Sequence, residues 1–151
     1  MIRKVKSSDL DSILAIYSFF CINRKKLRDY NYQFNLQKNG FLLGLDTRTT
    51  FKKLIGESEL FLVDENRGEI NGYIAFSSDK EFRDDRYKIW LNIDMKEKYY
   101  LSDNTISIYE IAVAHKCHGK SVASALLKKS EKILAEKGFK ELFSVEGQKP
   151  H

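Results

Sequence analysis

Ile106-Ser107-Ile108-Tyr109-Glu110-Ile111-Ala112-Val113 is followed by Ala114-His115-Lys116-Cys117-His118-Gly119 and then by Lys120-Ser121-Val122-Ala123-Ser124-Ala125-Leu126-Leu127. The first run is β-rich and mostly apolar, the pattern of an interior strand covered on both faces. From Val122 onward, Val122, Ala123, Leu126, Leu127, Ile133 and Leu134 recur at helical spacing. Gly138-Phe139 then supplies a glycine stop with an apolar residue behind it. Lys140 to Glu146 reads as a strand returning beside the first, which makes a right-handed β-α-β unit.

The flanking sequence extends this unit. Ile2 to Val5 reads as a short strand, and Ser7-Ser8-Asp9 offers N-cap chemistry to a helix with Leu10, Ile13, Leu14, Tyr17 and Phe20 on one face. Arg24 to Phe41 is polar and studded with aromatics. Thr49 to Ile55 predicts a second helix, closed near Gly56. Leu60 to Val63 and Ile70 to Phe76 predict strands joined through Asp64-Glu65-Asn66-Arg67-Gly68-Glu69 as a hairpin. Residues 79–104 are charged and tyrosine-rich, with a helix expected near Asp84 to Ile93. The only proline is Pro150, and repeats and low-complexity linkers are absent. A chain of 151 residues with 42% hydrophobic content fills one sizeable core. The expectation is a single α/β domain over 1–151, with helices on both faces of a mixed sheet.

Net charge is +5, from 26 Lys and Arg against 21 Asp and Glu, a mild excess that favours anionic ligands. The basic residues are interleaved with acids along the whole chain, which argues for a solvated surface and against nucleic-acid binding. Two cysteines, Cys21 and Cys117, are too few for a disulfide framework. The start lacks a signal peptide's apolar stretch, and no apolar run nears the roughly 18 residues of a membrane span. These features predict a cytoplasmic protein without a membrane partner.

Chemistry concentrates where the strand turns into the long helix. Helix N-termini present free N–H groups and the positive end of the dipole. His118-Gly119-Lys120-Ser121-Val122-Ala123 combines small side chains, which let a phosphate approach the backbone, with one lysine. A pyrophosphate fits such a turn, and so does plain close packing of helix on strand. His115-x-Cys117-His118 lacks the further ligands a tetrahedral metal needs, and is read as loop, with Cys117 an exposed thiol and no metal expected.

The run from Ile111 to Leu127 resembles the acetyl-CoA-binding motif of the GNAT superfamily of N-acetyltransferases, whose loop runs Gln/Arg-x-x-Gly-x-Gly/Ala before a helix carrying Leu-Leu. The opening strand and helix, the hairpin with Gly68-Glu69-Ile70-Asn71-Gly72-Tyr73 and the helix exit Glu136-Lys137-Gly138-Phe139 resemble the family's order across nearly the whole chain. His118 stands where the family has Gln or Arg, Ser121 where it has Gly and His115 where it often has Pro, while Ala123 matches. The family continues after the Leu142 to Val145 strand with a helix and a strand pair, so the resemblance marks the domain as C-terminally incomplete. An exposed strand edge there predicts a homodimer through the C-terminal strand.

The resemblance implies a mostly antiparallel sheet with a V-shaped splay next to strand 106–113, and transfer of acetyl from acetyl-CoA to an amine by direct attack. Ile111, Ala112 and Val113 then face the pantetheine arm and thioester, while His118, Gly119, Lys120, Ser121, Val122, Ala123 and Ser124 hold the pyrophosphate. Glu110 is the candidate base, on the strand face of Ile106 and Ile108, because a carboxylate among aliphatics takes up a proton readily. A buried salt bridge is the other reading of Glu110. Tyr109, on the opposite face, is the candidate acid. Tyr30, Tyr32, Phe34 and Phe41 line an acceptor pocket or pack as core. The acceptor is an amine-bearing small molecule or protein. A non-catalytic acyl-CoA-binding or partner-binding module is the alternative function.

Overall fold

A computed structural model describes residues 1–21, 24–39, 47–77 and 104–143. Five strands form one sheet in the order β1 (Ile2–Lys4), β2 (Leu60–Asn66), β3 (Glu69–Ser77), β4 (Thr105–Val113) and β5 (Glu141–Phe143). The first three junctions are antiparallel and β4–β5 is parallel, as expected. Helices α1 (Leu10–Phe20), α2 (Tyr30–Asn39), α3 (Arg48–Glu57) and α4 (Val122–Glu136) complete it.

Strand alternation divides the core in two. Phe61, Val63, Tyr73, Ala75 and Ala112 pack with Ile13, Tyr17 and Phe20 of α1 and Phe51 and Leu54 of α3. Leu60, Leu62, Ile74, Phe76 and Ile106 pack with Leu126 and Leu134 of α4. Helices therefore lie on both faces of the sheet.

Local chemistry sets the ends of these elements. A 3-10 turn, Ser7–Asp9, leads into α1, and the Asp9 carboxylate accepts the Lys6 N–H at 2.7 Å and both arms of Arg3 at 2.8 and 2.9 Å. Thr47 caps α3 through its side chain, which accepts Thr50 N–H at 3.2 Å. That helix begins one residue earlier than expected and runs through Gly56 to Glu57, with Ser58 as its C-cap. The β2–β3 hairpin closes on only Arg67 and Gly68, both at positive φ (52° and 80°), the two-residue turn that matches strand twist. α4 ends as the glycine predicted: Gly138 (φ 96°) lets Phe139 N–H reach Leu134 O at 3.1 Å and Gly138 N–H reach Ala135 O at 3.0 Å.

Helix α2 was not expected, since its sequence Tyr-Asn-Tyr-Gln-Phe-Asn-Leu-Gln-Lys-Asn carries no clean apolar stripe. The helix expected near Asp84 to Ile93, Phe41, and the strand beyond Phe143 with its edge and dimer expectation all lie outside the described residues. The expected splay beside strand 106–113 lies there too, since the described β5 ends at Phe143 and pairs with Thr105 to Ser107. Among the described residues no helix is long and apolar enough to cross a membrane.

Candidate functional site

The site grows from the end of β4. Ala114 N–H donates to Asn71 O at 2.8 Å, in the register that pairs Gly72 with Val113 and Tyr73 with Ala112. Backbone groups alternate sides along an antiparallel strand, so Ala112 and Ala114 are turned toward β3. Ile111 and Val113 turn their N–H and C=O to the opposite edge, where no described strand meets them. Of the three expected arm-facing residues, Ile111 and Val113 thus have the free orientation, whereas Ala112 is buried with its backbone committed to β3.

After Val113 the chain makes a 3-10 turn, His115–Cys117, and enters α4 through two left-handed residues, Gly119 (φ 79°) and Ser121 (φ 63°). Ser121 is the N-cap but makes no side-chain cap hydrogen bond. Val122, Ala123 and Ser124 are the first residues of the helix, whose N–H groups have no carbonyl one turn back. Val113, Cys117, His118, Gly119 and Ser121 to Ser124 line an open concavity of about 340 Å³ around this end. Six of the seven expected loop residues line this concavity, and the seventh, Lys120, lines the neighbouring groove with Arg67 and Lys116 instead. The two left-handed residues, Gly119 and Ser121, and the absence of long side chains at Gly119, Ser121 and Ala123 suit a diphosphate.

Gly72 brings the helix onto the strand. A methyl group there would sit 3.0 Å from Val122 Cγ1, 3.1 Å from Ala112 O and 3.3 Å from Val113 Cγ2. Lys116 pairs with Glu69, and this holds the Glu69 carboxyl below and the Lys116 ammonium above their usual ranges. Both are exposed, so the pair adds little stability.

Glu110 and Tyr109 depart from the expected strand alternation. Phe76 pairs with Ile108 but Ala75 pairs with Glu110, so β4 carries one extra residue, a β-bulge at Tyr109. Glu110 consequently leaves the face of Ile106 and Ile108 and lies on the α1–α3 side, the side Tyr109 also faces. It is buried and accepts a hydrogen bond from the Tyr73 hydroxyl at 3.2 Å. Tyr73 is fully buried, its ring meeting Phe51 edge-on at 6.0 Å and Phe61 at 5.9 Å. Sequence reasoning missed this partner, and only the strand signal around Tyr73 pointed to it.

Cys117 is buried, not exposed, because the 3-10 turn tucks it under the loop. His115 and His118 belong to an aromatic cluster: His115 stacks on Phe19 at 5.4 Å, and His118 stacks on Phe20 at 5.4 Å with the rings 7° from parallel. The described residues contain no group of three His, Cys, Asp or Glu placed to hold a metal. On α2, Tyr30 and Phe34 are exposed and Tyr32 half-buried, so this part of the aromatic segment is not core.

A mostly antiparallel sheet with helices on both faces and a left-handed loop leading into α4 define the class of fold. The sequence matches the model of the acetyltransferase (GNAT) family over residues 18–150, and the chain belongs to that family. No curated protein matches it closely enough to be counted a relative. Similar solved structures include the ribosomal-protein-S18-alanine N-acetyltransferase of Escherichia coli (TM-score 0.59, 13% identity, covering 98% of this chain and 68% of that one). An N-acetyltransferase of Staphylococcus aureus Mu50 gives 0.56 at 23% identity, covering 95% and 71%. N-acetylglutamate synthase of Neisseria gonorrhoeae, complexed with coenzyme A and N-acetyl-glutamate, gives 0.63 at 18%, covering 98% of this chain and 25% of that one.

Proposed function

We propose that residues 1–151 form one domain that transfers an acetyl group from acetyl-CoA to a primary amine by direct attack. The observation that supports this most is the junction of β4 and α4. Strand-edge groups of Ile111 and Val113 run into a left-handed loop and a bare helix N-terminus, which is one continuous track for an amide-bearing arm and its diphosphate. On this reading Ile111 and Val113 align the arm, and the N–H groups of Gly119 and of Ser121 to Ser124 take the diphosphate; the Lys120 side chain lies beside it, the Lys120 N–H being donated to Cys117 O at 3.2 Å.

The amine attacks the thioester carbon, the carbonyl oxygen gains charge, and collapse expels the CoA thiolate. The protein must orient the two reactants, receive the amine's proton and stabilise the oxyanion. Glu110 takes the proton, held in place by the Tyr73 hydroxyl. Tyr109, on the same side of the bulge, is the proposed acid toward the thiolate. The acceptor is an amine-bearing small molecule or protein.

The test is thiol release from acetyl-CoA across a panel of amines, with and without Glu110→Gln. The expected result is turnover that falls about 10²–10⁴-fold in the variant, the range of general-base contributions. Turnover unaffected by Glu110→Gln removes Glu110 from the chemistry. Binding of acetyl-CoA with no release on any amine leaves a non-catalytic acyl-CoA-binding module.

A further inference from the structure

The His118 side chain occupies one of the two strand-edge positions that the proposed cosubstrate arm needs. Its Nε2 lies 2.9 Å from the Val113 carbonyl oxygen. A carbonyl only accepts, so Nε2 carries the hydrogen and donates it. Val113 is the residue whose carbonyl faces away from β3, because its neighbours Ala112 and Ala114 are the ones turned toward that strand. The ring is also held from behind: it lies flat on Phe20, itself buried at the end of α1, and meets the edge of His115 at 5.2 Å. His118 is otherwise exposed, on the loop between β4 and α4.

We infer that His118 is a gate on the cosubstrate track: its imidazole caps the Val113 carbonyl in the free protein and is displaced when the amide of the arm takes that acceptor. This rests on the acetyl-CoA reading of the loop. Displacement opposes binding by one net hydrogen bond, and only for ligands that have an arm to insert. A diphosphate binding at Gly119 to Ser124 does not compete for Val113.

The test compares the parent with His118→Phe, which keeps a flat ring on Phe20 and has no N–H. Calorimetry measures coenzyme A, which has the arm, and 3′-phospho-ADP, which has the diphosphate without it. Because His118 also lines the diphosphate concavity, the gate is read from the ratio of the two affinities: coenzyme A should gain about fivefold on 3′-phospho-ADP in His118→Phe, the equivalent of one net hydrogen bond. NMR of the parent's imidazole nitrogens should show a hydrogen on Nε2 that changes environment on adding coenzyme A and not on adding 3′-phospho-ADP. An affinity ratio that does not rise in a folded His118→Phe overturns the gate and leaves the acetyl-CoA reading standing. A parallel change for both ligands also overturns it, by making the ring a support of the loop. Failure of both proteins to bind either ligand removes the acetyl-CoA reading and the gate with it.

Discussion

Replacing Gly72 by alanine tests whether the proposed phosphate loop is held by close approach of α4 to the sheet. The added carbon meets Val122 Cγ1 at 3.0 Å, Ala112 O at 3.1 Å and Val113 Cγ2 at 3.3 Å, all tighter than ordinary van der Waals contact. Overpacking of this kind costs about 1–3 kcal/mol, while the loss of glycine's freedom in the unfolded chain returns about 0.4–1 kcal/mol. The net expectation is a destabilisation of about 1–2 kcal/mol, read as a lower urea midpoint with unchanged slope. Val122 is the first residue of α4, so moving it tilts the N–H groups beside it, and acetyl-CoA affinity should fall as well. Val122→Ala deletes the nearest obstructing atom. In a double-mutant cycle it should recover at least about 0.5 kcal/mol of the Gly72→Ala penalty, a coupling expected only of residues in contact. A Gly72→Ala protein as stable as its parent, or a cycle with no coupling, would refute the packing argument.

Ser121 sits at φ 63° where a side chain costs about 1–2 kcal/mol, partly offset because glycine is freer when unfolded. Ser121→Gly should therefore raise stability by up to about 1 kcal/mol in thermal unfolding and leave cofactor binding intact. Asp9→Ala should cost about 1.5–3 kcal/mol, since it strips charged hydrogen bonds from Arg3 and the Lys6 N–H. The Arg3 hydrogen bonds hold the Asp9 carboxyl below its ordinary 3.8. Its contribution is thus fully present above that value and is lost as pH falls through the lower folded one. Acid titration of unfolding should show the Asp9→Ala curve converging on the parent's at low pH, and a constant gap would exclude this linkage.

The sequence was most legible where a periodic pattern and a terminator agreed. The apolar run of β4, the 3.6-residue rhythm of α4 and the glycine at 138 act locally, so each could be read from its neighbours. What escaped was set by contacts between distant segments. The bulge at Tyr109 depends on how β4 pairs with β3, and it inverts the face of Glu110 without leaving a mark such as glycine. The stack of His118 on Phe20 and the hydroxyl of Tyr73 under Glu110 join elements far apart in the chain. Cys117 looked exposed because a polar loop surrounds it, yet the 3-10 turn folds it inward. The expected loop residues 118 to 124 are contiguous in the chain, and the family resemblance, not spacing, gave them a proposed role.

The proposed site depends on a diphosphate lying against the first turn of α4, and Ala123 lines the concavity there. Ala123→Glu adds bulk and a negative charge there while suiting the free helix, since glutamate is a good helix former and favours a helix N-terminus by about 0.3–1 kcal/mol. Calorimetric titration with acetyl-CoA, paired with melting curves, is the direct measurement. The parent should bind, and be stabilised by about 2.7 kcal/mol at a hundredfold excess over Kd. Ala123→Glu should keep or raise its melting temperature without ligand and lose at least about tenfold in affinity. Acetyl-CoA binding undiminished in Ala123→Glu, or absent from the parent, would contradict the placement of the cofactor on this helix.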